Sequence, residues 1–121
     1  MKKYIRFDCD NVGDKIEFYL YNKEPEKAQQ LNNAIRSTLD IASKWIKEKI
    51  LDSEIVLIGA DDILFSCSFI SEDELTFLKK LFFEKAQITI SIGIGNCIKE
   101  SMQNLLIAKV SGKNTIYGFT N

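Results

Sequence analysis

Between positions 88 and 95 the chain reads Ile-Thr-Ile-Ser-Ile-Gly-Ile-Gly, and this run constrains the fold more than any other segment. Side chains alternate across a strand, so Ile88, Ile90, Ile92 and Ile94 share one face while Thr89, Ser91, Gly93 and Gly95 share the other. The strict period of two and the β-branched content argue strand, not helix. One side this apolar calls for a layer of helices against it. The other side, built of small groups, leaves room for close approach by a nucleotide or a partner subunit, although glycine in a strand also marks bulges.

The remaining segments supply those layers. Lys3 to Asp8 alternates with Ile5 and Phe7 on one face and reads as a first strand. A helix is expected over about 12–21, and the only proline, Pro25, opens a second where a first turn tolerates a missing N–H. Ala28, Leu31, Ile35, Leu39, Ala42, Ile46 and Ile50 recur at steps of three and four, leaving Lys27, Arg36, Lys44, Lys47 and Glu48 to solvent. Glu54 to Ile58 and Ile63 to Phe69 read as a hairpin, and Ser71 to Glu74 as a capping box that starts a third helix running to about Lys85. A fourth helix is expected from about Lys99 to Ser111, stopped by Gly112, before a last strand from Thr115 to Phe119. The order β-α-α-β-β-α-β-α-β predicts a single α+β domain over 1–121, a ferredoxin-like palm with a five-stranded sheet and helices on one face. The bare face is where a site is expected.

Composition narrows the function. With 121 residues, 45% of them hydrophobic, the chain is long enough for one real core and too short for two. A net charge of -1 provides no basic excess for stable binding of a nucleic-acid duplex. The three cysteines, Cys9, Cys67 and Cys97, make no CxxC spacing and read as buried small hydrophobes in a reducing cytoplasm. There is no histidine, so catalysis falls to carboxylates, lysines and hydroxyls, and hard-metal chemistry passes that filter. No apolar run approaches the ~18 residues of a membrane span, and Met1-Lys2-Lys3 leads into a strand; a soluble, intracellular protein without membrane insertion is expected.

Two acidic turns carry the chemistry. Asp8-Cys9-Asp10-Asn11 closes the first strand, and Gly59-Ala60-Asp61-Asp62 joins two apolar strands. Magnesium takes oxygen ligands, keeps several waters and often uses only one or two protein carboxylates beside the substrate's phosphates, so sparse acids from distant turns suffice for two ions of Mg2+ or Mn2+. Asp-Asp in a hairpin is also ordinary turn chemistry. Lysines near a helix C-terminus, such as Lys109, likewise complement the helix dipole without binding anything.

Taken in order, the first acid cluster, the Gly-Ala-Asp-Asp turn, and the tail from Ile88 to Gly95 through Ala108-Lys109-Val110-Ser111-Gly112-Lys113-Asn114 resemble the palm superfamily of GGDEF domains and CRISPR polymerases. Within it, the chain resembles the compact mCpol type, the minimal CRISPR polymerases, over nearly its whole length. The resemblance implies metal-dependent synthesis of a cyclic oligonucleotide from nucleoside triphosphates in antiphage signalling. It implies Asp8, Asp61 and Asp62 as catalytic acids, and these with the Cys9 carbonyl as metal ligands. Backbone N–H groups from Asp10 through Asn11 and Val12 to Gly13 would cup the triphosphate, and Gly59, Lys109 and Lys113 would complete the nucleotide site. Ala60 replaces the second glycine of the turn. Guanine-reading residues and an Arg-x-x-Asp motif before Gly59 have no counterpart, so ATP and a product of the cyclic di-adenylate type are the expectation. Joining two triphosphates in a ring takes two half-sites, which implies a homodimer across the bare face, and the family implies a membrane effector sensing the product. The alternatives are a catalytically silent GGDEF-like nucleotide-binding regulatory module and a ferredoxin-like interaction module whose acids only make turns.

Overall fold

A computed structural model describes residues 1–119. Its elements are β1 (Lys3–Cys9), α1 (Val12–Tyr21), α2 (Pro25–Lys49), β2 (Glu54–Ile58), β3 (Asp62–Cys67), α3 (Glu72–Ala86), β4 (Ile90–Gly95), α4 (Ile98–Val110) and β5 (Ile116–Tyr117). The predicted order holds. The strands form one sheet in the order β2-β3-β1-β4-β5, with β1 antiparallel to both β3 and β4, and β5 parallel to β4. The first strand of the sequence is thus the centre of the sheet.

Alternation explains the core. Ile5, Phe7 and Cys9 of β1, Ile63, Phe65 and Cys67 of β3, and Ile90, Ile92 and Ile94 of β4 all point to one buried face. The stripes of α2 (Ile35, Leu39, Ala42, Ile46) and α3 (Leu75, Leu78, Phe82) cover it. Phe7 meets Phe82 edge to face with ring centroids 5.4 Å apart, and Trp45 of α2 stacks on Phe77 of α3 at 4.4 Å. Each fully buried side chain of this size contributes about 1.5–3 kcal/mol. The capping box at Ser71 and Glu74 forms as expected, with Glu74 N–H donating to Ser71 Oγ and Ser71 N–H to Glu74 Oε1.

The face expected to be bare is covered. A Cβ on Gly93 would lie 2.2 Å from Leu105 N and 2.3 Å from Ser101 O, and one on Gly95 would lie 2.5 Å from Ser101 N. The close approach predicted from the small residues of β4 is therefore made by the backbone of α4, not by a nucleotide or a partner. Helices flank the sheet on both sides, α2 and α3 on the isoleucine face and α4 on the glycine face. Smaller differences concern ends: β4 starts at Ile90, although Ile88 is still buried in the core, and β5 is limited to Ile116 and Tyr117. Cys9 and Cys67 are buried as expected, but Cys97 is exposed in the turn between β4 and α4, at the end of the sheet where β1 begins.

Candidate active site

The site forms where β1 ends. Cys9 N–H donates to the Asp61 carbonyl at 2.9 Å and Asp10 N–H donates to the Thr89 carbonyl at 2.9 Å, so the last turn of β1 is tied to both neighbouring strands. Asn11 then adopts a left-handed conformation with φ 61°, and α1 begins at Val12. The chain reverses in one residue.

Register does the rest. Asp8 lies directly opposite Asp62 on β3 and opposite Ser91 on β4, so the three side chains share the α4 face. Like charges opposed across a pair of strands repel, and two cations relieve them here. Arg6, two residues before Asp8 on the same face, places Nη2 2.6 Å from Asp62 Oδ2. Lys109, reaching down from α4, places Nζ 2.5 Å from Asp8 Oδ1. Asp61 occupies the bend itself, held against Cys9 by the backbone bond above.

Asp10 is the hub. Its side chain is 2% exposed and accepts from Thr89 Oγ1 (2.7 Å), Ser91 Oγ (2.7 Å), Lys109 Nζ (2.9 Å) and the Asn114 N–H (3.0 Å). Left-handed backbone at Gly112, Lys113 and Asn114 turns that last N–H inward. Lys113 Nζ in turn binds Asn11 Oδ1. Because Asn11 spends its side-chain oxygen on Lys113, it makes no cap bond to α1, whose first N–H groups at Val12 and Gly13 have no acceptor within the helix.

The electrostatics follow from burial and partners. Desolvation raises the Asp8 carboxyl above its ordinary value; Lys109 opposes this, and the charges of Asp61 and Asp10 add to it. Asp61 is raised too, first by desolvation and then by neighbouring Asp62. For Asp10, burial also pushes upward, but the bonds from Lys109, Thr89, Ser91 and Asn114 outweigh it and the carboxyl is held below the ordinary range. Burial works against the charge on Lys109, and its contacts to Asp8 and Asp10 more than restore it. The site is thus an alternating set of acids and cations at the open end of a rigid sheet.

Asp8, Cys9, Asp10, Asn11, Val12, Gly13, Gly59, Asp61, Asp62, Lys109 and Lys113 all collect at this one end of the molecule. Their individual settings differ from the expectations in three ways. The Asp10 N–H is consumed by Thr89, so a phosphate cup would begin at Asn11. Asp62 packs against Gly59 and is clasped by Arg6. Lys109 rests on Asp8 and Asp10. A Cβ at Gly13 would meet nothing within 4 Å, so the space beside it is open. Four residues with no expected role, Arg6, Thr89, Ser91 and Asn114, hold the charged set in place. Period-two spacing from Asp8 marks Arg6, and strand alternation with Ile90 and Ile92 marks Ser91; nothing local marks the Asn114 N–H.

Fit to a divalent ion rests on the donors. Among the described residues no group of three or more Asp, Glu, Cys or His side chains is arranged as a ready cage. A hard ion that brings waters and phosphates does not need one. Asp8 Oδ1 is buried and, Lys109 apart, has no donor; the Cys9 carbonyl shares Lys109 with it, and the charge of Asp61 is near enough to raise the Asp8 carboxyl. An all-oxygen donor set with an orphaned carboxylate oxygen suits magnesium or manganese.

Comparisons with known structures agree on the fold. The Csm1-Csm4 cassette in complex with one ATP matches with a TM-score of 0.70 at 16% identity, over 99% of this chain and 21% of that one. The same cassette in complex with cA4 matches at 0.68 and 17% identity, over 95% of this chain and 20% of that one, so the chain spans about a fifth of the Csm1-Csm4 chains. The active GGEEF domain of a diguanylate cyclase from Vibrio cholerae matches at 0.58 and 14% identity, over 98% and 84%. No curated protein matches the sequence. Residues 4–119 match the model of the minimal CRISPR polymerase domain, and the chain therefore belongs to the mCpol family.

Proposed function

We propose that this protein is a metal-dependent nucleotidyltransferase that joins ATP into a cyclic oligonucleotide of the di-adenylate type, working in the cytoplasm in antiphage signalling. The observation that carries the reading is the convergence of Asp8, Asp61 and the Cys9 carbonyl with the start of α1 and with Lys109 and Lys113. The Csm1-Csm4 neighbours, solved with ATP, cA4 and pppApApA, support adenine as the base. Buried, unbridged Cys9 and Cys67 suit a reducing compartment, and no helix among the described residues is long and apolar enough to cross a membrane.

In this reading Asp8, Asp61 and the Cys9 carbonyl hold two divalent ions, with Asp62 joining them if Arg6 releases it. Ions held there would supply Lewis acidity toward the ribose hydroxyl and charge neutralisation for the α-phosphate and pyrophosphate. The N–H groups of Val12 and Gly13 receive phosphate oxygens at the positive end of α1. Lys113 and Lys109 face the terminal phosphates and bind them through charge-assisted hydrogen bonds. The sheet end holds Asp8, the Cys9 carbonyl and the start of α1 in place before substrate arrives, so positioning supplies most of the rate.

A homodimer provides the second nucleotide that a cyclic product needs. The face over β4 and β1 is closed by α4, so the partner meets the open flank of α4, where exposed Met102 and Leu106 line the same cleft as Arg6, Asp8 and Lys109. The product would be read by a membrane effector.

The decisive experiment incubates pure protein with each of the four triphosphates and Mg2+ or Mn2+ and resolves the products, alongside light scattering at micromolar protein with and without nucleotide. Cyclic product from ATP, lost in the Asp61→Ala, Asp62→Ala double variant, is expected. The clasps on Asp8 and Asp62 favour a second reading, a silent nucleotide-binding regulatory module, and ATP binding with no linear or cyclic product under any condition would decide for it.

A further inference from the structure

The Lys109 ammonium lies where three oxygens meet: Asp8 Oδ1 at 2.5 Å, Asp10 Oδ1 at 2.9 Å and the Cys9 carbonyl oxygen at 3.3 Å. Asp8 and Cys9 supply the same oxygens that the reading above assigns to a divalent ion. Two cations crowded onto the same oxygens repel, and a divalent ion doubles the repulsion a single charge would bring. Asp8 Oδ1 is buried with no other donor, so the ammonium is the cation that offsets its charge in the resting protein. The two cations therefore compete for one place.

Lys109 also has somewhere to go. Asp10 remains fully bonded to Thr89, Ser91 and Asn114 whichever way the ammonium turns, so the lysine can release Asp8 and keep Asp10. Its flexible four-carbon stem and rotatable donors permit the swing. Space beside Gly13 is open, and Lys113 on Asn11 borders the same start of α1. A triphosphate there offers Lys109 new oxygens at the moment it loses Asp8.

We propose that Lys109 is a surrogate cation that fills the metal position in the resting protein and is exchanged for a metal bound to a triphosphate, so that ion and nucleotide load together and free ion loads poorly. The exchange rests on the reading that Asp8 and the Cys9 carbonyl receive a divalent ion. It makes Lys109 a coupling element between two ligands, each strengthening the other. Asp10 is the positioning residue that keeps the displaced lysine within reach of phosphate.

The test is Mn2+ binding followed by the electron paramagnetic resonance of the free ion, with and without a non-hydrolysable ATP analogue. Wild type should bind Mn2+ weakly alone and at least about tenfold more tightly with the analogue, a coupling of ordinary size. Lys109→Met should gain about tenfold in affinity for Mn2+ alone and lose most of that coupling, whereas Lys113→Met, which removes the same charge from an uncharged partner, should shift the affinity for Mn2+ alone by no more than about threefold. Equal gains in the two variants would reduce the effect to bulk charge and overturn the exchange, as would an unchanged or weakened Lys109→Met. A second measurement needs no variant: with lysines 13C-labelled at Cε, the Lys109 signal should move when Mg2+ and the analogue saturate the wild-type protein, and a stationary signal overturns the proposal. Product formation separates this from the enzyme reading. Cyclic product with unaltered Mn2+ affinity in Lys109→Met removes the exchange alone, while exchange without product from any triphosphate removes the enzyme alone.

Discussion

Gly59 is held to glycine by its neighbour Asp62. A Cβ at position 59 would stand 2.0 Å from Asp62 Oδ1, so alanine there must displace the carboxylate that pairs with Arg6 at 2.6 Å. Gly59→Ala should lower the urea midpoint by an amount equivalent to about 1–3 kcal/mol, the range for overpacking. Ala60, by contrast, is absent from the positive-φ residues, so the missing second glycine strains nothing and Ala60→Gly should cost only about 0.4–1 kcal/mol through the freer unfolded chain. Asp61 allows a pH prediction. Burial and the Asp62 charge raise its carboxyl in the fold, so the native protein holds that proton more tightly than the unfolded chain does. The stability this brings is complete below the unfolded pKa of about 3.9 and lost as pH rises through the raised folded value. Asp61→Asn, which cannot ionise, should therefore be more stable than wild type in metal-free buffer at pH 7, by at most about 1 kcal/mol after solvent screening. That gain should fade as thermal melts are taken down toward pH 4. A gain that persisted at low pH would locate the effect in packing.

At the scale of elements, what could be read in advance was what repeats along the chain. The α2 stripe from Ala28 to Ile50 and the alternation of β4 appear in the structure with the faces they announce, because burial on one side leaves a period in the sequence. The placement of α4 leaves none. Its buried residues are Ser101, Leu105 and Ala108, while Ile98, Met102, Leu106 and Val110 are exposed, so apolar side chains circle the helix and no stripe tells which side meets the sheet. The signal lay in the partner strand. Gly93 and Gly95 are small because a helix backbone crosses them, and only the known position of that helix separates this from a ligand surface. The acids were legible because turns gather them in sequence; the cations were less so, since Lys109 reaches its carboxylates across 99 to 101 positions and Arg6 looks like an ordinary strand residue. A side chain at position 93 tests the role given to α4. Gly93→Val drives carbon into the α4 backbone and should cost about 3 kcal/mol or more. Since Lys109 rides on α4, the same variant should loosen its contact with Asp8, which the 13Cε signal of Lys109 would register as a shift toward the solvent-exposed lysines.

For the whole molecule, the site unites parts that fold from opposite ends of the chain. β1 contributes Asp8, the turn after it Asp10, the hairpin Asp61 and Asp62, β4 Ser91, and the turn after α4 Lys113 and Asn114, so the fold must be complete before all of them meet. A ligand that engages several of these segments at once binds only the native state and stabilises it by mass action, about 2.7 kcal/mol at a hundred times its dissociation constant. Acids buried together also cost the empty protein stability, since Asp8 and Asp61 both resist ionisation, and a divalent ion removes that penalty. Metal and triphosphate together should therefore raise the melting temperature by more than the sum of their separate effects, by several degrees in a chain of this length. Mg2+ with a non-hydrolysable ATP analogue is the pair to scan against each alone, in wild type and in Asp8→Asn. The synergy should be present in the first and absent in the second, whose amide can no longer balance a divalent ion. If the analogue stabilises both proteins equally without Mg2+, nucleotide binding does not pass through Asp8, and the palm end of this sheet is a nucleotide clamp rather than a reaction centre.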